Sequence, residues 1–174
     1  MSSSKQLQHV DIYTDGSCSP NPGRGGWGAL LISRNHAKRL EISGSESETT
    51  NNRMELTAAI EALKVLKQPC EVALYTDSNY LRNAFEENWL ESWQKKDWKT
   101  SNGKNVHNRD LWETLLKISE LHDIKWHWVR GHEGHPENER ADELAVEARK
   151  RLDEETEATS SHGSVKSVAQ SENC

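Results

Sequence analysis

The chain lacks any run of about 18 apolar residues, which excludes a membrane-spanning helix of the usual kind. Residues 1–8 are polar with no apolar stretch behind them, so no signal peptide is expected. Cysteine is also scarce, since Cys18, Cys70 and Cys174 form an odd, scattered set without the spacing of a metal or redox motif. These absences favour a cytoplasmic protein with reduced thiols and no membrane partner.

Hydrophobic residues are few, at 33% of the 174 residues, whereas charged residues make up 29%. So polar a composition indicates that part of the chain does not pack into a core. Residues 1–6 form a Ser-rich lead-in, and residues 153–174 are rich in Ser, Glu and Thr and contain no aromatic side chain. Both ends are predicted to be disordered, because they cannot bury enough surface to offset their ordering entropy. Residues 7–152 are predicted to form one domain.

The excess of basic residues that often marks a nucleic-acid-binding protein is absent, because the net charge is −6. Within residues 153–174, five acidic residues and one lysine give a charge of −4, which leaves −2 for the rest of the chain. A nearly neutral domain can still present a local basic patch. The net charge therefore does not exclude a nucleic acid as partner.

Hydrophobic periodicity predicts the element order βββαβ…αβα. The predicted strands are a first one from Val10 that ends at Asp15 and Gly16, then, after a turn at Gly23, Gly25 and Gly26, Trp27–Ile32, Lys38–Ser43, Val72–Tyr75 and Ile124–Val129. The predicted helices are one capped by Asn51 or Asn52 and stopped by Pro69, a partly helical Asn79–Trp98, Asp110–Leu121 and Glu137–Leu152. This order implies a mixed sheet with helices packed on its faces.

Four acidic residues occupy the edges of the predicted elements. Asp15 closes the first strand and Asp77 follows the fourth, and strand ends are where ligand crevices form in α/β sheets. Glu55 lies in the first turn of the first long helix, and Asp142 lies in the first turns of the last. Taken singly, each has a simpler explanation as a surface acid or as a favourable charge near a helix N-terminus.

Convergence of the four acids would have a definite chemical consequence. Like charges held close together raise one another's pKa unless a cation neutralises them. All-oxygen ligands suit hard cations such as Mg²⁺ or Mn²⁺ rather than Zn²⁺. A pair of such ions about 3.5–4 Å apart can clamp a phosphodiester, activating water on one side and stabilising the leaving oxygen on the other.

Four local segments support the interpretation of the four acids as a metal site. They are residues 13–18 (YTDGSC), 49–56 (TTNNRMEL), 76–78 (TDS) and 129–145 (VRGHEGHPENERADELA). Together, in order and with family-like spacing over about residues 7–152, they resemble type 1 ribonuclease H of the bacterial kind. The resemblance implies the ribonuclease H-like α/β fold, a five-stranded mixed sheet of order 3-2-1-4-5 flanked by helices.

The resemblance also implies an enzyme, an endonuclease that hydrolyses the RNA strand of RNA–DNA hybrids by two-metal-ion catalysis and leaves 5′-phosphate and 3′-hydroxyl ends. It implies Mg²⁺ as the cofactor, with Mn²⁺ as a substitute, and a monomeric protein. The implied metal ligands are Asp15, Glu55, Asp77 and Asp142. A further catalytic role, in proton transfer or product release, falls to His132, and the neighbouring Gly131 and Gly134 are consistent with a mobile loop.

To recognise a hybrid, the protein must distinguish ribose in one strand from deoxyribose in the other. Short polar side chains in the minor groove can do so by hydrogen bonding to the 2′-hydroxyl. The resemblance assigns that task to Cys18, Asn21, Asn51, Asn52 and Asn79. Turn and helix-cap chemistry would account for the same asparagines equally well.

Contacts with the DNA strand are expected at two places. Thr50 and Asn108 could form a phosphate pocket, although Glu48 stands where some members of the family place an Arg. A Trp-rich stretch resembles the family's basic protrusion, with Trp89, Trp93 and Trp98 beside Lys95, Lys96, Lys99 and Lys104. Core packing is the favoured alternative for Trp93 and Trp98, and Trp89 is the better contact candidate. Gln94 and Asp97 interrupt the cluster, so weaker and less salt-sensitive hybrid binding is expected than in a strongly basic relative.

Two other functions compete with this one. A non-catalytic hybrid-binding module typically loses acids, whereas this chain keeps all four and the histidine. A transposase or resolvase nuclease of the same fold is disfavoured by the compact single domain and the asparagine set. A cleavage assay on hybrid, RNA–RNA and DNA–DNA duplexes separates the three.

Overall fold

A computed structural model of the chain describes residues 7–35, 38–130 and 135–171, and for residues 160–171 it describes the backbone alone. The strands are β1 (Gln8–Cys18), β2 (Gly23–Ser33), β3 (Lys38–Thr49), β4 (Cys70–Thr76) and β5 (Asp123–Trp128). The helices are α1 (Asn51–Val65), α2 (Asn79–Glu86), α3 (Trp89–Lys95), α4 (Arg109–Ser119) and α5 (Pro136–Ser171). The strands form one sheet in the order β3-β2-β1-β4-β5, which confirms the predicted α/β fold and its sheet order.

The central strand β1 determines where the sheet opens. It pairs antiparallel with β2 as far as Cys18, but its parallel pairing with β4 ends at Tyr13 and Tyr75. Strand β5 lies parallel beside β4, and β3 lies antiparallel beside β2. Because β1 and β4 separate beyond Tyr13 and Tyr75, a crevice forms at their carboxyl ends.

The structure corrects the predicted ends of the first strands. The sequence predicts a turn at Gly23, Gly25 and Gly26, yet these glycines form the first part of β2. Glycine is needed in this part of β2 because α5 passes close to the strand. A Cβ at Gly26 would collide with the carbonyl oxygen of Ala145. Strand β1 likewise continues past Asp15 to Cys18, since its last residues remain paired with β2, and β3 continues past Ser43 to Thr49.

Helix α1 packs its apolar face on the sheet and begins one residue earlier than predicted. Its N-cap is Thr50, whose Oγ1 accepts a hydrogen bond from the backbone N–H of Arg53 at 3.2 Å, rather than Asn51 or Asn52. The hydroxyl oxygen of a threonine N-cap can accept a hydrogen bond from an otherwise unpaired backbone N–H of the first turn, as the amide oxygen of an asparagine N-cap can. The helix ends at Val65, before Pro69, because Leu66 already adopts an extended conformation.

The Trp-rich stretch forms a second layer of the core around α2, α3 and α4. Trp112 is fully buried, and its indole Nε1 donates a hydrogen bond to the hydroxyl of Tyr80 at 2.8 Å. Trp98 is buried, and Trp93 packs against both of these tryptophans. Trp93 and Trp98 therefore belong to the core, as the sequence favoured.

Helix α5 crosses β1, β2 and β3 and extends farther than expected. It buries Ala141, Leu144 and Ala145, as its periodicity predicts, but the backbone remains helical to Ser171 where the sequence predicts disorder from Asp153. No Pro or Gly interrupts the chain after Pro136 until Gly163, and Glu, Ala, Arg and Lys favour a helix even where it is solvated.

Beyond Leu152 the helix leaves the core, since residues 154–159 are exposed. Asp153 still pairs with Arg24 of β2 at 2.9 Å. The lead-in at residues 1–6 and the last three residues, 172–174, lie outside the described residues. In the part of the chain that the structure describes, no helix combines the length and the apolar character needed to cross a membrane.

Candidate active site

Asp15 lies near the end of β1, and Asp77 comes directly after the parallel strand β4. Each follows by two residues the last paired position of β1 and β4, which is Tyr13 in one strand and Tyr75 in the other. Because side chains alternate along a strand, Asp15 shares a face of β1 with Tyr13. After Asp77 the chain turns into α2, which Ser78 caps by accepting a hydrogen bond from the backbone N–H of Leu81 at 3.2 Å.

Glu55 reaches Asp15 because α1 passes unusually close to the end of β1. A Cβ built on Gly16 would lie 2.7 Å from the backbone nitrogen of Glu55 and 2.8 Å from the carbonyl carbon of Met54. Only glycine leaves room for this approach. The side chain of Glu55 is buried as a result.

The structure therefore brings Asp15, Glu55 and Asp77 together, with one carboxylate oxygen of each within 4.8 Å of the others. Asp142, on α5, lines the same cavity of about 430 Å³, although it is not part of the tight group of three. Two strands and two helices thus converge at the opening of the sheet.

The electrostatics of the cluster are those of like charges held close together. Burial, followed by the charge of Asp77, raises the pKa of Asp15 to about 7, and Asp142 adds to the effect. The pKa of Glu55 is raised well above its usual range by burial and by the charges of Asp15 and Asp77. Among the described residues, none donates a hydrogen bond to the buried Oε2 of Glu55. An all-oxygen site with an unsatisfied acceptor fits a hard divalent cation, so the cluster could hold one.

A family model for RNase H matches residues 7–150. The chain belongs to the RNase H family. It is 60% identical over 139 residues to the ribonuclease H of Hahella chejuensis, which covers 80% of this chain and 92% of that protein. It is 59% identical over 138 residues to that of Thermus thermophilus, which covers 79% of this chain and 82% of that protein. The crystal structure of LC9-RNase H1, a type 1 RNase H with the type 2 active-site motif, is 32% identical, with a TM-score of 0.75 over 85% of this chain and 75% of that one.

Three of the four predicted minor-groove asparagines line the carboxylate cavity of this RNase H. They are Asn51, Asn52 and Asn79. The Oδ1 of Asn21 accepts a hydrogen bond from the backbone N–H of Asn51 at 3.1 Å, so the turn after β1 is tied to the helix. At the end of β1, the Sγ of Cys18 donates to the carbonyl oxygen of Pro20 at 3.3 Å.

Thr50 and Asn108 are already engaged in internal hydrogen bonds. Thr50 caps α1, and Asn108 adopts a left-handed backbone conformation with φ of 62° before α4. The Oδ1 of Asn108 accepts from Arg53 at 3.2 Å, and its Nδ2 donates to the hydroxyl of Tyr80 at 3.2 Å. Arg53, which the sequence did not single out, also pairs with Asp110 at 2.8 Å.

The Trp-rich stretch and its lysines lie apart from the carboxylates. Of Trp89, Lys95, Lys96 and Lys99, none lines the cavity. Trp89 is half-buried with its ring centroid 5.9 Å from that of Trp93, so it is part of the aromatic cluster as well as a surface residue. Lys95 pairs with Glu91 at 3.3 Å, and the Nζ of Lys99 donates to Asn105 at 2.6 Å. Lys96 is exposed at the end of α3.

His132 lies outside the described residues, so its predicted position stays a prediction. Several cavity residues were not anticipated, namely Tyr80, Arg130, His135, Asn138 and Glu139. Helical spacing could have identified two of them, because Asn138 and Glu139 precede Asp142 by one turn of α5 and share its face.

Proposed function

We propose that this chain is a metal-dependent endonuclease that hydrolyses the RNA strand of RNA–DNA hybrids. The observation that carries the proposal is the group of Asp15, Glu55 and Asp77, whose carboxylate oxygens lie within 4.8 Å of one another at the open end of two parallel strands. Membership of the RNase H family supports the same reaction and substrate.

In this proposal Asp15, Glu55 and Asp77 hold Mg²⁺, with Mn²⁺ as a substitute, and Asp142 contributes a looser fourth ligand from α5. Such cations, when bound, supply a nucleophilic water and stabilise the charge that develops on the phosphate. The chain supplies fixed carboxylates, because strands and a tightly packed helix hold them before the substrate arrives. Water attacks phosphorus, the bond to the 3′-oxygen breaks, and the products carry 5′-phosphate and 3′-hydroxyl ends.

His132 is proposed to carry a proton during product departure. An imidazole changes its charge near neutral pH, which suits a group that must both accept and release a proton at working pH. The assignment rests on the sequence alone, because this residue lies outside the described part of the chain.

Selection of the hybrid is proposed to depend on Cys18 and on four asparagines, Asn21, Asn51, Asn52 and Asn79. Asn51, Asn52 and Asn79 support this role because they line the cavity that holds the carboxylates. An amide there can donate to or accept from a 2′-hydroxyl beside the scissile phosphate. Asn21 is proposed to act together with Asn51, to which it is hydrogen-bonded.

The DNA strand is proposed to bind at two places. Thr50 and Asn108 would contact a phosphate, and the Trp-rich stretch with its lysines would contact the strand farther from the carboxylates. Trp89 would stack on a sugar, and the lysines would neutralise phosphates. The proposed lysine contacts are Lys95, Lys96 and Lys99. Since Lys95 and Lys99 already have partners in the protein, each must exchange a contact to bind DNA, which fits a weak and modestly salt-dependent interaction.

The protein is further proposed to act as a monomer in the cytoplasm. The four carboxylates and three of the asparagines, Asn51, Asn52 and Asn79, line one cavity within a single chain, so the proposal requires no residue from a second copy. Light scattering at a concentration that supports cleavage should give the mass of one chain. Activity confined to a dimer would contradict this part of the proposal.

Purified protein with Mg²⁺ and end-labelled duplexes tests the reaction. We expect cleavage of the RNA strand of the hybrid, with 5′-phosphate ends, and no cleavage of RNA–RNA or DNA–DNA duplexes. Asp77→Asn should lower the rate about a hundredfold or more, because a lost ligand removes several kcal/mol of transition-state stabilisation. Hybrid binding in EDTA should be retained.

Asp123→Asn is the matched control, because it removes an exposed acid of β5 at the other end of the sheet. Full activity of Asp77→Asn would overturn the metal-ligand assignment. Hybrid binding by the wild-type protein without cleavage would favour the non-catalytic module, and cleavage of DNA–DNA would favour a nuclease of the transposase or resolvase kind.

A further inference from the structure

Arg149, on α5, places a positive charge beside the last residues of β1. Its Nη1 donates a hydrogen bond to the Oγ of Ser17 at 3.0 Å. The helix passes close to the sheet here, because a Cβ built on Gly26 would lie 2.7 Å from the backbone nitrogen of Arg149, and Gly26 pairs with Ser17. A tightly packed helix and a hydrogen bond thus hold the guanidinium at this end of β1.

The guanidinium lies to one side of the carboxylates and near the proposed substrate contact Cys18. Burial raises the pKa of the Cys18 thiol and the charge of Arg149 acts against that rise, so the two groups lie within electrostatic range. Ser17 follows Asp15 by two residues on the same face of β1, about 6.6 Å along the strand. Arg149 follows Asp142 by seven residues, or two turns of α5, about 10 Å along the helix. Arg149 does not line the carboxylate cavity, so any role concerns a group beyond the scissile phosphate.

Arg149 differs from the nearby Arg24 in the charge of its partner. Arg24 pairs with the carboxylate of Asp153 at 2.9 Å, so its charge is balanced within the protein. Among the described residues, Arg149 bonds only to the neutral hydroxyl of Ser17. A guanidinium with an unbalanced charge and further N–H donors is suited to a phosphate, which it can bind through two parallel hydrogen bonds.

The two proposed strand contacts lie on opposite faces of the sheet. Gly16 faces α1, whereas Gly26, the partner of the next residue Ser17, faces α5. The proposed phosphate pocket for the DNA strand includes the N-cap of α1, Thr50, on the first of these faces. Arg149 is on the other face, so it is placed for the RNA strand rather than for the DNA strand.

The distance from the carboxylates to Arg149 matches the spacing of phosphates. Phosphates of one strand recur about every 3.4 Å along the axis of a DNA duplex. On that scale, the separations of about 6.6 Å along β1 and about 10 Å along α5 correspond to roughly two or three nucleotides. The phosphate nearest to Arg149 would therefore be a close neighbour of the scissile one.

We propose that Arg149 binds a phosphate of the RNA strand about two or three nucleotides from the scissile phosphate. The inference rests on the proposed function, since it requires a hybrid with its RNA strand at the carboxylates. That function otherwise assigns the RNA strand only Cys18 and the asparagines, which are neutral. Arg149 adds a cation to a site whose four acids repel a polyanion, and it fixes the strand on one side of the cleavage point.

Hybrid binding in EDTA, measured over a range of salt concentrations, tests the proposal without the cleavage reaction. Arg149→Gln should make the logarithmic salt slope less steep by about 1, the value of one phosphate contact. Its loss of affinity relative to the wild type should therefore be about three times larger at about 50 mM salt than at about 200 mM. Arg149→Lys keeps the charge and should keep the wild-type slope.

Arg151→Gln is the matched control. It removes the same charge from the same helix, but the Nη2 of Arg151 lies 3.4 Å from the Oγ of Ser43, on β3. Its slope should equal that of the wild type. Arg149→Met is a second test if Arg149→Gln does not fold, because methionine keeps an unbranched aliphatic chain and has no charge.

A hybrid whose DNA strand carries uncharged methylphosphonate linkages assigns the contact to a strand. Only the RNA phosphates remain charged in this duplex, so Arg149→Gln should still reduce the salt slope by about 1. Disappearance of the effect on this hybrid would overturn the assignment to the RNA strand.

Two other results would overturn the inference. The first is a wild-type slope and affinity in either neutral variant of Arg149. The second is an equal loss of slope in Arg149→Lys, because the positive charge would then not be the property that matters.

The proposed function fails in a distinguishable way. If the wild-type chain cleaved no hybrid in Mg²⁺, the proposed reaction would be wrong, and the role of Arg149 would fall with it. If the wild type cleaved the hybrid and only the effect of Arg149 were missing, the proposed function would stand without this contact.

Discussion

Replacing Asp15 by Asn should stabilise the protein when no metal is present. The substitution preserves the size of the side chain, and an amide Oδ1 can still accept the hydrogen bond that the backbone N–H of Gly16 donates at 2.9 Å. It removes one charge from a cluster in which Glu55 and Asp77 lie close by. The cluster is therefore relieved of repulsion at little cost in packing.

The magnitude follows from the pKa of Asp15, which is raised from its ordinary 3.8 to about 7 by burial and then by Asp77. A carboxyl with a raised pKa favours the folded state fully below pH 3.8 and loses this contribution as the pH rises through about 7. Each pKa unit corresponds to about 1.4 kcal/mol, so ionisation at pH 8 costs at most about 4 kcal/mol. Because the cavity admits water, we expect Asp15→Asn to gain about 1–3 kcal/mol, or about 3–9 °C in Tm.

Thermal unfolding in EDTA at pH 4.5 and pH 8 measures this difference. The advantage of Asp15→Asn should be large at pH 8 and much smaller at pH 4.5, and the control Asp123→Asn should show neither effect. Saturating Mg²⁺ should stabilise the wild type more than the variant, because an ion that binds only the folded state adds to its stability. A variant less stable than the wild type at pH 8 in EDTA, or an advantage independent of pH, would refute the electrostatic account.

Three further predictions concern packing and binding. Gly16→Ala should lower stability by about 1–3 kcal/mol and reduce cleavage, because the new Cβ pushes α1 and Glu55 away from Asp15. Urea unfolding and a cleavage assay check it, and wild-type values in both would contradict it. Trp112→Phe should lower the free energy of unfolding by about 1–3 kcal/mol, because side-chain volume and the hydrogen bond to Tyr80 are lost, and cleavage should be retained at low temperature. An unchanged free energy of unfolding would count against the buried hydrogen bond. The logarithm of the hybrid association constant should fall against the logarithm of the salt concentration with a slope of about −2 to −3, equivalent to about three phosphates. A slope near −5 would show that Lys95 and Lys99 bind phosphates despite their partners in the protein.

The strand acids of the site could be predicted from the sequence for a simple reason. Asp15 follows the apolar part of β1 and Asp77 follows β4, and the carboxyl ends of neighbouring parallel strands meet at one edge of a sheet. Glu55 was harder to place, because its burial depends on how closely α1 approaches β1. That distance is determined by the missing side chain of Gly16, which sequence periodicity does not register.

Contacts between distant segments were the features that the sequence left out. Arg53 donates hydrogen bonds to Asn108 and to Asp110, and these contacts join the start of α1 to the start of α4 across more than 50 residues. No local pattern signals such a pair. It becomes visible only when both helices are placed on the sheet.

The helical extension of α5 escaped prediction for a different reason. Glu, Ala, Lys and Arg favour both solvated helices and disordered chains, so composition alone does not separate the two. The ion pair between Arg24 and Asp153 shows that the first residue beyond Leu152 still contacts the domain. The sequence offers no periodic apolar stripe there that would have predicted it.

Diffraction from crystals grown with Mn²⁺, recorded where manganese scatters anomalously, tests the central claim most directly. The account predicts an anomalous peak about 2–2.3 Å from oxygens of Asp15, Glu55 and Asp77. A fully occupied manganese site elsewhere, with no peak among these three carboxylates, would contradict it.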